Sequence, residues 1–205
     1  MLNTIIIGGA SLRHDVIELL QSHATKFYAT YGMTETITHV ALQMLNGPDR
    51  QDYFQLLPDI AISPDSRGCL VIEAGHLYAP VITNDLVEIM DANKFRWIGR
   101  YDQVINSGGV KISPEKIERV VENIFQELEI SNRFFVAGLA DPKLGERVTL
   151  VLEGNPDPGM INQIKKQLTN RLDKYEAPKD VVCVSGFVET ATQKIDRVST
   201  LKLLR

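Results

Sequence analysis

Cysteine is almost absent. Cys69 and Cys183 are the only two in 205 residues, and they lie in separate strand-like segments without ligand-type spacing. That excludes a disulfide framework or a thiolate metal centre and predicts buried, reduced thiols. The four histidines, His14, His23, His39 and His76, are scattered, so no zinc centre is indicated. There is no basic run and no Arg/aromatic stripe, and the net charge is −4. Nucleic acid is thereby excluded as the main partner, because phosphate neutralisation needs clustered cations; a local cluster could still hold a nucleotide. No apolar run approaches a membrane span, and Met1 is not followed by a basic and then apolar leader. With 44% hydrophobic and 23% charged residues, the balance is that of a soluble, cytoplasmic globular protein of one or two domains.

What is present begins with a β-α-β pattern. Asn3 to Ile7 is β-branched, Gly8-Gly9 breaks it, and Ser11 is placed to cap a helix. In that helix Leu12, Val16, Leu19 and Leu20 share a face, and a second strand covers Lys26 to Thr30. Parallel strands follow from such a unit, with a ligand site near their carboxyl ends. The Gly8-Gly9 and Tyr31-Gly32 turns are then expected side by side. From Thr36 to Trp97 short strands alternate with turns, at Thr36–Gln43, Cys69–Glu73, Leu86–Met90 and Phe95–Ile98, which predicts a small β-rich subdomain.

Beyond Gly99 the pattern changes again. Ser113-Pro114-Glu115 starts a helix whose face is Ile117, Val120, Val121, Ile124, Phe125 and Leu128. Strands at Arg133–Leu139 and Arg147–Glu153, a helix from Gly159 to Tyr175 and a strand at Asp180–Ser185 complete a compact α+β domain. A polar segment leads to the basic end, Lys194 to Arg205. The boundary is placed near Arg100–Asp102.

Several segments carry chemistry. Tyr31-Gly32-Met33-Thr34-Glu35-Thr36 offers a ring for a nucleobase, a hydroxyl for phosphate and a carboxylate for Mg²⁺, or else is an ordinary capped turn. Asp85, read at a turn before a strand, could accept from ribose hydroxyls or be an Asx-turn residue. Arg100 could pair with ribose or phosphate oxygens and Asp102 could sit at a hinge, unless the two form only a surface ion pair. Gly108-Gly109 permits close backbone approach to a ligand, or simply makes a hairpin turn. Lys194 alone reads as a solvated charge.

Taken in order, the series YGxTE, T-x-D, GRxD-x-x-I-x-x-x-G, E-x-I-E and K-I-D-R resembles the adenylate-forming superfamily. That group includes acyl-CoA synthetases, firefly-type luciferases and peptide-synthetase adenylation domains. Gly8-Gly9-Ala10, Ala140 to Glu146 and Tyr175 to Lys179 extend the resemblance across essentially the whole chain. It implies an α/β plus α+β architecture. Residues 1–100 are then the carboxyl-terminal portion of the large nucleotide- and acid-binding domain, and residues 101–205 the small mobile domain.

The activity it implies is ATP-dependent acid–CoA ligation, with ATP/AMP, Mg²⁺ and coenzyme A as ligands. A small carboxylic acid would be the substrate, and a homodimer is possible in such a family. By motif position, Gly9 and Ala10 would line the adenine and acyl pocket and Tyr31, next to Gly32, would stack on adenine. Thr34 would contact phosphate, Glu35 would hold Mg²⁺, and Asp85 and Arg100 would bind ribose. Lys194 would be the mobile catalytic lysine, Asp102 the hinge, and Gly108-Gly109 would line the pantetheine tunnel.

Within the superfamily, Ile105 to Ile112 and the short spacing from Glu35 to Asp85 look most like the o-succinylbenzoate–CoA ligases of menaquinone synthesis. Medium-chain or aryl acid–CoA ligases are the alternative, and a non-catalytic CoA- or nucleotide-binding module is the competing class. Departures are Asn84 for the usual Gly of T-G-D, Asn106 for a frequent Lys, and Gln193 for the Gly before the catalytic lysine. Asn84 is expected to keep a left-handed turn. The Ser/Thr/Gly-rich phosphate loop ending in Lys is not in this sequence; the resemblance puts it upstream of Gly8, so a fragment is expected.

Overall fold

The computed structural model describes residues 2–9, 12 and 14–204, and of 14 and 15 the backbone only. Ala10 and the expected cap Ser11 lie outside the described residues. The chain divides into two units, Met1–Asp102 and Gln103–Arg205.

In the first unit, β1 (Thr4–Ile7), α1 (His14–Leu20) and β2 (Lys26–Gly32) form the β-α-β unit. β1 and β2 pair in parallel, Ile7 opposite Ala29, which sets the Gly8-Gly9 turn beside the end of β2. The predicted face of α1 needs correction: Leu19 is exposed, while Val16, Ile17 and Leu20 are half-buried. The β-rich stretch continues the same sheet. It comprises β3 (His39–Met44), β4 (Phe54–Leu56), β5 (Ile60–Pro64), β6 (Cys69–Ala74), β7 (Val81–Asp91) and β8 (Lys94–Arg100). Among the described residues the order is β1-β2-β3-β4-β8-β7-β6-β5.

Two strands of this unit escaped the sequence reading. β4 is short, and β5 carries Pro64 at its end, where a proline is tolerated because the strand is at the sheet edge. Val40, Ala41, Leu56, Leu70, Ile72 and Phe95 form the core. Cys69 is fully buried and Cys183, in the second unit, only half-buried; both are free.

The second unit holds β9 (Ile105–Ser107), β10 (Val110–Ile112), α2 (Pro114–Glu127), β11 (Phe134–Asp141), β12 (Gly145–Glu153), α3 (Pro158–Arg171), β13 (Asp180–Val184) and α4 (Arg197–Leu201). The helix α3 stops four residues short of the predicted Tyr175. Its start is firm: Pro158 takes the first position and Asp157 accepts from the Gly159 and Met160 N–H groups. The predicted apolar stripe of α2 packs with Val148, Leu150, Leu152, Ile164 and Leu168 on one face of the sheet.

The opposite face is closed by residues read as a polar tail. Phe187, Ile195, Leu201 and Leu204 pack against Phe135, Val151 and Val184. Strand side chains alternate between the two faces, so Phe135 and Val136 serve different cores.

Candidate functional site

The end of β2 is bent by a β-bulge between Tyr31 and Gly32 where it meets β3. Gly32 is required there, since a Cβ would lie 2.8 Å from both His39 Cα and the Thr38 carbonyl oxygen. The chain then makes a 3-10 turn, Thr34–Thr36. Thr36 anchors this turn from within. It is fully buried, its Oγ1 accepts from the Met33 N–H at 3.0 Å, and it reaches the Met33 and Thr38 carbonyls at 2.9 and 2.8 Å. Thr34 and Glu35 are consequently turned outward and exposed.

Beside this turn lies a cavity of about 320 Å³ whose lining includes Tyr31, Gly32, Glu35, Thr83, Asp85 and Arg100. Asp85 is 6% exposed and receives the Tyr31 hydroxyl at 2.5 Å. Arg100 Nη1 stands 3.5 Å from its other oxygen. The same guanidinium makes two bonds of 3.2 Å to the Asp102 carboxylate. Arg100 therefore joins the expected ribose residue to the expected hinge residue, which lies on the Tyr101–Gln103 turn where the first unit ends.

Charge follows geometry here. Burial, and then the bond and charge of Asp85, push the Tyr31 phenol far above its ordinary range. The bond from Arg100 holds the Asp102 carboxyl below the usual carboxylate range, and the Arg100 guanidinium is raised in turn, first by Asp102.

Two expectations are corrected. Asp85 is not at a turn before a strand: it lies inside β7, opposite Arg100 of β8, and Thr83 Oγ1 accepts from its N–H at 3.0 Å. Asn84, in the same strand, is not among the residues with positive φ, so the expected left-handed turn is absent. Tyr31 borders the cavity, but its ring also packs against Phe54 and Phe95, with centroids 5.6 and 5.1 Å away.

Gly9 follows β1 with φ 96°; it is exposed, with nothing within 4 Å of a would-be Cβ, whereas a Cβ on its neighbour Gly8 would strike Thr30. In the second unit, Gly108 and Gly109 have φ 61° and 86° and connect β9 to β10 as a two-residue hairpin turn. The hairpin alternative was thus correct, and it leaves the backbone at Gly109 open, with nothing within 4 Å of a would-be Cβ.

Lys194 is exposed on a tight loop. Its N–H reaches Thr190 Oγ1 at 3.2 Å and its carbonyl accepts from the Thr190 N–H at 2.8 Å. Gln193, just before it, is held at φ 60°. The loop is pinned at both ends: Glu189 pairs with Arg133, and Arg197 pairs with Glu118 at 2.9 Å.

Thr36, Thr83, Arg67 and the Glu118–Arg197 pair were not singled out from sequence. Thr36 lay in the Tyr31–Thr36 segment, Thr83 in T-x-D, and Glu118 and Arg197 in E-x-I-E and K-I-D-R, and that was their signal. Arg67 had none.

No protein-family model matches the chain. It is similar to the 2-succinylbenzoate–CoA ligase of Lactococcus lactis, 26% identical over 216 residues that cover 96% of this chain and 46% of the relative. It is also similar to the solved acyl-CoA synthetase (AMP-forming)/AMP-acid ligase II-like protein of Dyadobacter fermentans. There the identity is 39% and the TM-score 0.53, over 98% of this chain and 58% of that one. The o-succinylbenzoate CoA synthetase of Bacillus subtilis, solved in complex with its acyl-adenylate intermediate, shares the fold with a TM-score of 0.75. Its identity is 19%, over 97% of this chain and 46% of that one. The chain spans about half the length of the curated relatives it matches. The resemblance to the adenylate-forming superfamily drawn from the motifs thus holds in sequence and in fold, with the AMP-forming acyl-CoA synthetases, 2-succinylbenzoate–CoA ligases among them.

Proposed function

We propose that the chain supplies the ribose-binding and thioester-forming part of an ATP-dependent acid–CoA ligase, with o-succinylbenzoate as the acid. The observation that carries this reading is Asp85: a buried carboxylate on a cavity wall, with Tyr31 and Arg100 fixing its two oxygens. A carboxylate held this way keeps free lone pairs for ribose hydroxyls and spends no side-chain entropy on finding them. Tyr31 and Gly32 border the adenine position, and Gly9 lines the adenine and acyl pocket. Thr34 offers an exposed hydroxyl to phosphate.

Magnesium, when bound, neutralises phosphate charge. Glu35, exposed on the cavity edge, is the carboxylate suited to it, since this ion commonly takes one or two carboxylates and completes its shell with phosphate oxygens and water.

In the first half-reaction an oxygen of the acid attacks the α-phosphorus and pyrophosphate leaves. Lys194 bridges the two anions, a cation placed where negative charge gathers. In the second, the CoA thiolate attacks the acyl carbon and AMP departs with the electron pair. Asp102 is the hinge between these arrangements, and the Gly108-Gly109 turn, open at Gly109, meets the pantetheine arm.

The test is ATP–pyrophosphate exchange by the native polypeptide carrying this sequence. Exchange is expected with o-succinylbenzoate above medium-chain and aryl acids; a reversed preference would reassign the acid. Lys194→Ala is expected to lower exchange roughly a hundredfold, with a much smaller loss in thioester formation from supplied acyl-adenylate. Equal loss in both assays would remove Lys194 from its role.

A further inference from the structure

Arg67 lies outside every motif, yet its guanidinium is committed in four directions. Nε donates to Asp65 Oδ2 at 2.8 Å, and Asp65 is itself fixed by the Arg67 and Cys69 N–H groups at 2.8 and 2.9 Å. Nη1 donates to the Asn84 side-chain oxygen and Nη2 to the Thr83 carbonyl, both at 2.9 Å. The flat face lies over the Tyr101 ring, 5.2 Å from its centroid. Thr83 and Asn84 immediately precede Asp85, and Tyr101 immediately follows Arg100.

We propose that Arg67 is the positioning residue of the ribose site, holding the residues that flank the Asp85–Arg100 pair. The inference rests on the nucleotide reading above. Its physical basis is that a planar fork with five donors can hold two acceptors at fixed separation and still stack, which a lysine cannot do. Asp65 is the anchor that keeps the fork aimed. Arg67 itself touches no nucleotide; it acts through Thr83, Asn84 and Tyr101, fixing the direction of the Asp85 carboxylate. Asn84 is the matching acceptor on the strand.

The experiment measures the KM for ATP, the KM for the acid and kcat on the native polypeptide, with AMP affinity by calorimetry. Arg67→Met keeps the stem but removes the donors, and is expected to raise the KM for ATP and the AMP dissociation constant roughly tenfold. The KM for the acid and kcat should change less than about twofold by the same reasoning. Asn84→Gly removes one acceptor and leaves the Arg67–Asp65 pair intact; a rise of roughly threefold is expected. In the double variant the two effects should fall short of their product, because they share one bond.

If Arg67→Met does not fold, Asn84→Gly and Arg67→Lys carry the test, with Lys expected to restore less than half of the lost affinity. Loss of AMP binding in Asp85→Ala with no change in Arg67→Met or Asn84→Gly overturns the positioning role and leaves the nucleotide site standing. Independent losses that multiply, or equal loss in both KM values and kcat, overturn it as a general packing defect. No AMP binding by the unaltered protein overturns both readings.

Discussion

Arg197 and Glu118, 79 residues apart, are joined inside the second unit by a two-pronged ion pair, with Nη1 2.9 Å from Oε1 and Nη2 3.1 Å from Oε2. Glu118 Oε1 also accepts from the Val136 N–H at 2.8 Å, and the guanidinium lies over the Phe135 ring at 5.5 Å. One pair therefore ties helix α2, strand β11 and the loop that carries Lys194.

Burial raises the Glu118 carboxyl, and Arg197 is the leading influence pulling it back down. A carboxyl raised on folding contributes stability that is present below its unfolded pKa and lost as pH rises through the folded one. Arg197→Met takes away the restraint, so the raised value climbs further and the loss deepens. We expect a destabilisation of about 3 kcal/mol near neutrality, smaller at pH 4 than at pH 8. Urea denaturation at the two pH values checks this, and a pH-independent difference would contradict it.

Tyr31 gives a second pH dependence, of the same sign and at the alkaline end. Its phenol is raised by burial and by Asp85, so its contribution is present below the unfolded value of about 10 and lost above it. Tyr31→Phe should flatten the alkaline fall in stability. At pH 7 it should cost about 1 to 2 kcal/mol, because Asp85 loses a donor while remaining buried. Thermal melts from pH 7 to 11 on the two proteins would show whether their curves converge.

Gln193 sits at φ 60°, where an L side chain crowds its own carbonyl. Gln193→Gly should stabilise by about 0.5 kcal/mol, the relief of crowding exceeding the added freedom of the unfolded chain. Gln193→Val should destabilise by about 1 kcal/mol, since a β-branched residue fits that region worst. The order of melting temperatures, Gly above Gln above Val, is the measurement.

Gly32→Ala places a methyl 2.8 Å from backbone atoms of Thr38 and His39. Backbone cannot step aside as a side chain can, so the β2–β3 bulge must open. A cost of about 2 to 3 kcal/mol is expected, together with weaker AMP binding because Tyr31 moves with the bulge. Gly47→Ala is the control: space is open there, and its positive φ alone sets the cost.

Much of the molecule was legible along the chain because local patterns carry it. The β-α-β order, the stripe on α2 and the glycine turn each depend on residue type and short spacing. So did the motif series whose resemblance holds in sequence and in fold. Local signals failed where partners were distant. The segment after Lys194 looked polar, yet every few residues Ile195, Leu201 and Leu204 turn an apolar side to the sheet. Asn84-Asp85 looked like a turn because both residues favour turns, but they lie inside β7, where Asp85 pairs with Arg100 of β8.

By itself, then, the sequence determined which chemical groups are available and in what order, since residue type and short spacing are written in it. Only the tertiary structure decided that Tyr31 and Asp85, 54 residues apart, share a hydrogen bond, that Arg100 stands between Asp85 and Asp102, and that Arg67 braces the strand beside them. Those relations arise from strand register and burial, which bring remote residues within 3 to 4 Å, and no local pattern encodes a distance between remote residues.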